Sequence, residues 1–187
     1  MNLYLALLHY PAYNRKREVV VTSVVVHDVH DISRASRTYG VNRFYIVQPF
    51  EEERKMVERV ITFWNSSGLG YNLTRAQALS VVSLKESFGN VLMDIKKEFG
   101  EYPLVIGTSA QAQEIPLITF QETAQRLKDN KAVLLLFGTG WGIALPLLEK
   151  IDCFLPPIVG IGEFNHLSVR SAASIVLDRI VSLYKEL

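Results

Sequence analysis

Three apolar runs in the C-terminal half each end in a glycine-bearing loop, and these loops hold the residues best suited to chemistry. VIG closes on Gly107 and continues Thr108-Ser109-Ala110. LLLFG closes on Gly138 and continues Thr139-Gly140-Trp141-Gly142. PIVG closes on Gly160 and continues Ile161-Gly162-Glu163-Phe164-Asn165-His166. In open parallel sheets, ligands bind beyond the carboxyl ends of the strands. Glycine there lets the backbone approach a ligand closely and take positive φ without strain. One such loop is weak evidence, because tight turns need glycine anyway, but three in succession favour a shared small-molecule site. The loops carry almost no basic side chains, which disfavours a triphosphate. Neutral amides and carbonyls suit an adenosine-like or other uncharged ring, with Trp141 available to wall the pocket. No GxxxxGK[ST] loop occurs. GTGWG is not a dinucleotide fingerprint either: Ile143 stands where the last glycine belongs, and only 45 residues follow Gly142.

The second informative stretch is 27–40, HDVHDISRASRTYG. On a helix beginning near Asp31, Arg34 and Arg37 project to one side, close to a helix N-terminus that favours anions. Two readings stay open: a seat for a phosphate or nucleic-acid backbone, or a solvated basic face capped by Asp28 or Asp31. His27, Asp28, His30 and Asp31 lack a further His or Cys at ligand spacing, so no metal site is expected. His9 and His166 read as structural histidines, and Trp64 as packing. Lone Cys153, flanked by Ile151 and Phe154, reads as a small buried hydrophobe in a reducing cytoplasm.

The elements that must position these residues alternate. Strands are expected at 3–8, 19–26, 43–47, 79–84, 103–106, 132–137 and 157–159. Helices are expected near 31–39, 51–65, 86–99, 119–129, 143–150 and 167–186. Several strands are apolar throughout, as strands buried on both faces are. The last helix sets Val169, Ala172, Ala173, Val176, Ile180, Leu183 and Leu187 on one stripe. This predicts one α/β domain over 1–187, with a parallel sheet and helices on both faces. The 187 residues, 49% hydrophobic and 21% charged, have the composition of a soluble globular domain. MNLYLALL reads as a first strand and not a signal peptide, and no apolar run is long enough for a membrane span. The formal charge of +1 excludes a polybasic tail. The excess of basic residues nonetheless falls within residues 1–43, making that quarter the anion-facing part.

With these residues in place, the chain resembles the SPOUT superfamily of RNA methyltransferases, and within it the small single-domain S-adenosylmethionine-dependent enzymes. DxxDISRASRTYGV resembles the first motif of the SpoU branch, with Arg34 six residues before Gly40 and Asp28 where Asn is usual. LLLFGTGWGI resembles the second motif, with Thr139 in place of the usual acid. PPIVGIGEFNHLSVRSAASIVLDRI resembles the third, with His166 where Asn is usual and Ser168 retained. GTSAQ is similar to the strand-end GTSAR of tRNA ribose methyltransferases in this group.

The resemblance implies a C-terminal trefoil knot, a homodimer and RNA (tRNA or rRNA) as partner. It implies S-adenosylmethionine held by Gly107, Thr108, Ser109, Gly138, Thr139, Gly140, Trp141, Gly142, Ile158, Gly160, Asn165, Leu167 and Ser168. It assigns the catalytic role to Arg34, which in such families faces the cofactor from the partner subunit. Arg15, Lys16, Arg17, Arg37 and Arg43 are the candidates for the RNA backbone, and the acceptor is a ribose 2′-oxygen or a base nitrogen. Two rival readings are a non-catalytic S-adenosylmethionine-binding module and an unrelated α/β enzyme acting on a small nucleotide.

Overall fold

A computed structural model describes residues 1–187 apart from Ala112, Glu114 and Glu163. Its centre is β1 (Leu3–Leu8), whose side chains LYLALL are all buried. β4 (Arg43–Val47) pairs with it on one side and β7 (Val133–Gly138) on the other, both parallel. β5 (Val82–Lys85) adds beyond β4; β6 (Leu104–Gly107) and β8 (Cys153–Phe154) add beyond β7. The sheet order is β5-β4-β1-β7-β6-β8. Every pairing is parallel, so all six carboxyl ends lie along one edge. A two-stranded hairpin, β2 (Ala12–Tyr13) with β3 (Val19–Val20), stands apart from the sheet.

Strand side chains alternate between two cores, as the two-residue period requires. Leu3, Leu5, Leu7, Phe44, Ile46, Leu135 and Phe137 face one layer of helices. That layer contains α1 (Val26–Thr38), α2 (Glu51–Asn65), α3 (Leu73–Leu79), α5 (Phe120–Lys128) and α7 (Val169–Glu186). Tyr4, Ala6, Leu8, Tyr45, Val47, Leu134 and Leu136 face α4 (Phe88–Phe99) and α6 (Leu145–Leu148). Burial of a single such Leu stabilises the fold by about 1.5–3 kcal/mol, which is why β1 tolerates no polar residue before His9. The chain is therefore α/β, with a parallel sheet covered on both faces. No helix among the described residues is long and apolar enough to cross a membrane.

Helix ends follow their sequences. Ser168 caps α7 by accepting from Ser171 N, and Thr119 and Glu122 form a reciprocal capping box on α5. The apolar stripe of α7 buries Ala173, Val176, Leu177, Ile180 and Val181 against its own chain, chiefly α1 and α5.

Three expected strands are corrected. Of 19–26, only Val19–Val20 is strand, and α1 begins at Val26. β1 is already bordered on both sides by β4 and β7, so the valine run that follows it cannot add beside it. The Val24 amide instead donates to the Glu53 carboxylate at 2.8 Å, and the chain turns into a helix. Residues 157–159 are not strand; the edge strand is Cys153–Phe154, continued by a Leu155 N to Gly107 O bond of 3.0 Å. Pro156 and Pro157 lack the N–H needed to extend that ladder. The expected strand at 79–84 moves to Val82–Lys85, and the preceding α3, capped by Asn72, was not expected.

Candidate functional site

Because β7, β6 and β8 are neighbours, their three following loops emerge side by side at the carboxyl edge. Gly107 is in register with Leu136, and Gly138 with Leu8. A Cβ on Gly107 would lie 2.5 Å from the ring of buried Phe154, so glycine here lets β8 approach β6. Thr108 donates from both its amide and its hydroxyl to the Leu136 carbonyl. Ser109 Oγ accepts from Gln111 N and Gln113 Nε2. Asn165 Nδ2 donates to Ala110 O at 2.9 Å, joining the third loop to the first. Ile158 packs on the core below, and the hydroxyl of Ser168 is engaged in the α7 cap. Gly160 lies in the exposed part of the same loop.

The second loop is the most elaborately held. Gly140 has φ +60° and Gly142 φ +104°, conformations that glycine adopts without strain. Trp141 N donates to Tyr13 O at 2.8 Å, and Tyr13 N donates to Gly142 O at 2.9 Å. Leu145 N donates to the Tyr13 hydroxyl at 3.1 Å. The Thr139 hydroxyl donates to Leu8 O at 2.8 Å and meets Thr22 Oγ1 at 2.6 Å. Thr22 Oγ1 in turn lies 2.9 Å from His9 Nδ1. With the Thr139 proton directed to Leu8, Thr22 donates to Thr139 and His9 Nδ1–H donates to Thr22. That order assigns the neutral Nδ1–H tautomer to His9. Burial pushes the His9 pKa down to about 4, although Asp28 and Glu53 pull the other way. Its Nε2 is buried and has no hydrogen-bond partner among the described residues. His9 is thus structural, as its sequence context suggested, and part of a relay that the sequence alone did not disclose.

Open space adjoins this cradle. A Cβ placed on Gly142 or Gly162 would meet nothing within 4 Å, and Trp141 is 60% exposed. Val159, Ile161, Phe164 and Leu167 are exposed nearby in the chain. Backbone polar groups, one large aromatic and free space beside glycines suit the adenosine-like ligand that the neutral loops imply. A separate open groove of about 500 Å³ lies elsewhere, lined by residues such as Leu117, Glu122, Arg126 and Cys153. It contains no glycine-loop residue, and its partner-free thiol has its pKa raised by burial.

The arginines divide into two groups. Arg15, Lys16 and Arg17 are exposed at the tip of the β2–β3 hairpin, on the carboxyl side. Arg34, Arg37 and Arg43 are not there. Helix α1 starts five residues earlier than the sequence reading placed it, so Arg34 lies about 12 Å down the helix from Val26 and away from the anion-favouring N-terminus. Arg37 is in the last turn of α1. Arg43 begins β4, at the amino edge, and pairs with Glu98 at 2.7 Å. The cation beside the N-terminus of α1 is instead Arg170, 2.9 Å from Asp28 and 3.5 Å from Asp31. That pairing explains the carboxylate at position 28 and engages both acids that a metal site would have needed.

Fold and site together define a parallel α/β architecture with three glycine-bearing loops gathered at its carboxyl edge. The architecture matches the Aquifex aeolicus TrmH/SpoU tRNA modifying enzyme with a TM-score of 0.61, at 16% identity, over 99% of this chain and 76% of that one. The sequence profile of the SAM-dependent RNA methyltransferase family matches residues 2–182, and the chain belongs to that family. It is 40% identical to an uncharacterized protein of Aquifex aeolicus over 97% of this chain and 89% of that protein. It is 39% identical to a tRNA (guanine-N(1)-)-methyltransferase of Oleidesulfovibrio alaskensis over 96% of its own length, but spans only 42% of that protein. S-adenosylmethionine is accordingly the cofactor and RNA the substrate class.

Proposed function

We propose that this chain transfers the S-adenosylmethionine methyl group to tRNA at the carboxyl edge of the sheet, with the three glycine loops as the cofactor cradle. The observation that carries this reading is the Gly138–Gly142 loop. It has two positive-φ glycines, a hydrogen-bonded frame on both sides and open space beside Gly142. Gly107, Thr108 and Ser109 form one wall, Thr139 to Gly142 the floor, and Ile158, Gly160, Asn165, Leu167 and Ser168 the other wall. Bound S-adenosylmethionine supplies an activated methyl on sulfur, already joined to a good leaving group. The protein's task is then mostly to align an RNA oxygen or nitrogen with that methyl and to stabilise the charge that develops.

Arg34 is assigned that stabilising role. A guanidinium offers five N–H donors and no acceptor, so the role is that of an electrostatic partner and not of a base. Within one chain it lies well along α1 from the carboxyl edge, so the reading requires Arg34 of a second copy. The exposed apolar residues Trp141, Val159, Ile161, Phe164 and Leu167 favour such a homodimer. A dimer also supplies the basic hairpin tips in duplicate, for salt-sensitive RNA binding. The C-terminal trefoil knot belongs to the same reading. After β8, the chain returns past Ala110, where Asn165 ties in, to place α7 against α1 and α5. The lone reduced thiol of Cys153 suits the cytoplasm.

The test is methyl transfer from labelled S-adenosylmethionine to unfractionated bacterial tRNA, with molar mass measured in parallel. Label in the RNA together with a dimer mass supports the reading. Cofactor binding without transfer to any tRNA would leave the rival of a non-catalytic binding module.

A further inference from the structure

The reading of the glycine loops leaves one structure unexplained: the β2–β3 hairpin is built onto the second loop. Its base, Ala12–Tyr13, forms an antiparallel bridge with Ile143. Trp141 N to Tyr13 O, Tyr13 N to Gly142 O and Ala144 N to Pro11 O, at 2.8, 2.9 and 3.1 Å, make a short strand addition. Thr22, just past β3, closes the other end through Thr139 at 2.6 Å. Thr22 is itself fixed from three directions, by His9 Nδ1, by its own amide on His9 O, and by Gln48 Nε2 on its carbonyl. Gly140 must be glycine because Tyr13 O would lie 2.8 Å from any Cβ there. The hairpin and the Gly138–Gly142 loop are therefore tied into one hydrogen-bonded unit.

The far end of that unit is basic and well formed. Asn14 Oδ1 accepts from Lys16 N and Glu18 N, and Arg17 takes φ +63° at the turn. Arg17 lies over the Tyr13 ring at 5.5 Å. Arg15, Lys16 and Arg17 are all exposed. Three cations thus project from an element whose base grips the loop carrying exposed Trp141. Phosphates ordering the tip would order the same backbone that the cofactor needs ordered, and the reverse must hold equally.

We propose that the hairpin tip is an RNA-phosphate contact coupled to the cofactor loop, with Thr22 and Tyr13 as positioning residues that make RNA and cofactor bind cooperatively. This inference rests on the assignment of the Gly138–Gly142 loop to the cofactor.

The experiment measures S-adenosylhomocysteine affinity by calorimetry, with and without saturating unfractionated bacterial tRNA, for the wild type and three variants. The wild type binds S-adenosylhomocysteine alone, and tRNA tightens that binding about tenfold, within the ~5- to 150-fold range of allosteric coupling. Thr22→Val, which keeps the shape but loses the hydroxyl, brings the ratio close to one. Thr22→Ser restores it, which a purely structural role for the residue would not require. Doubly substituted Arg15→Ala/Arg17→Ala retains S-adenosylhomocysteine affinity without tRNA. Its tRNA affinity falls, with a salt dependence shallower by roughly one to two phosphate contacts. Thermal melts accompany each variant, and the tip variant alters no core residue. If both ligands bind the wild type with a ratio near one, or Thr22→Val keeps the full ratio, the coupling is refuted while the cofactor assignment stands. Unchanged tRNA affinity in the tip variant refutes the phosphate contact. If S-adenosylhomocysteine does not bind at all, the cofactor assignment falls and the coupling with it.

Discussion

Replacing Gly140 with alanine tests the frame around the second loop most sharply. At φ +60° an alanine occupies the left-handed region at a cost of roughly 1 kcal/mol. Its Cβ would stand 2.8 Å from the Tyr13 carbonyl oxygen and 3.3 Å from Thr22 Cγ2. The first contact is with backbone, so relief requires moving the hairpin. The oxygen displaced is the acceptor for Trp141 N at 2.8 Å, and weakening that bond costs about 0.5–1.5 kcal/mol. Together these give a destabilisation of about 1.5–2.5 kcal/mol, or a melting temperature lower by roughly 3–10 °C for a domain of this size. Gly70, with no positive φ and nothing within 4 Å of a Cβ, is the control: Gly70→Ala should lie within about 0.5 kcal/mol of the wild type. Urea unfolding of both variants, followed by S-adenosylhomocysteine calorimetry on the folded proteins, completes the assay. A Gly140→Ala protein as stable as Gly70→Ala would refute the claim that the hairpin and the loop form one hydrogen-bonded unit.

His9 titrates at about 4 when folded against an ordinary 6.5, so between these values the unfolded chain binds more protons. Its contribution to stability is therefore complete above pH 6.5 and declines as the pH falls toward 4, by roughly 3 kcal/mol in all; urea titrations of the wild type and His9→Gln should differ in slope over that window. Asp28→Ala removes the partner of Arg170 from a half-buried pair and should cost about 1–2 kcal/mol, whereas Asp28→Asn, which keeps an acceptor, should cost less in the same unfolding assay. Arg34→Ala should slow single-turnover methyl transfer by ~100- to 1000-fold, by analogy with the loss of an oxyanion donor, while calorimetry finds cofactor affinity retained.

The sheet was legible because its strands are written as unbroken apolar runs. LYLALL, RFYIV and AVLLLF have no other stable place than a sheet covered on both faces. The first two glycine loops were legible for the same reason, since each follows such a run, whereas the third follows the non-strand residues 157–159. The valine run 19–26 misled because β-propensity yields to context, and both positions beside the preceding β1 are taken by β4 and β7. In its place stand the second strand of the hairpin, an irregular stretch and the first residue of α1. That shift also moved Arg34 away from the helix N-terminus, which spacing within 27–40 had no means of revealing. The His9–Thr22–Thr139 relay joins residues 13 and 117 positions apart, and of the three only Thr139 belongs to a motif. Gly140 could have pointed to it: a glycine with no space for a Cβ implies a close neighbour, though not which one. Arg170 was visible only as a polar residue beside the α7 stripe, and its pairing with Asp28 exists only once α7 lies across α1.

The central claim is that the carboxyl-edge loops hold the cofactor, and crystals grown with S-adenosylhomocysteine test it directly. The account predicts ligand density bounded by Gly107–Ser109, Thr139–Gly142 and Ile158–Ser168, with the adenine ring against neutral backbone groups. Density lying instead in the groove beside Leu117, Arg126 and Cys153, with the glycine loops empty, would contradict it.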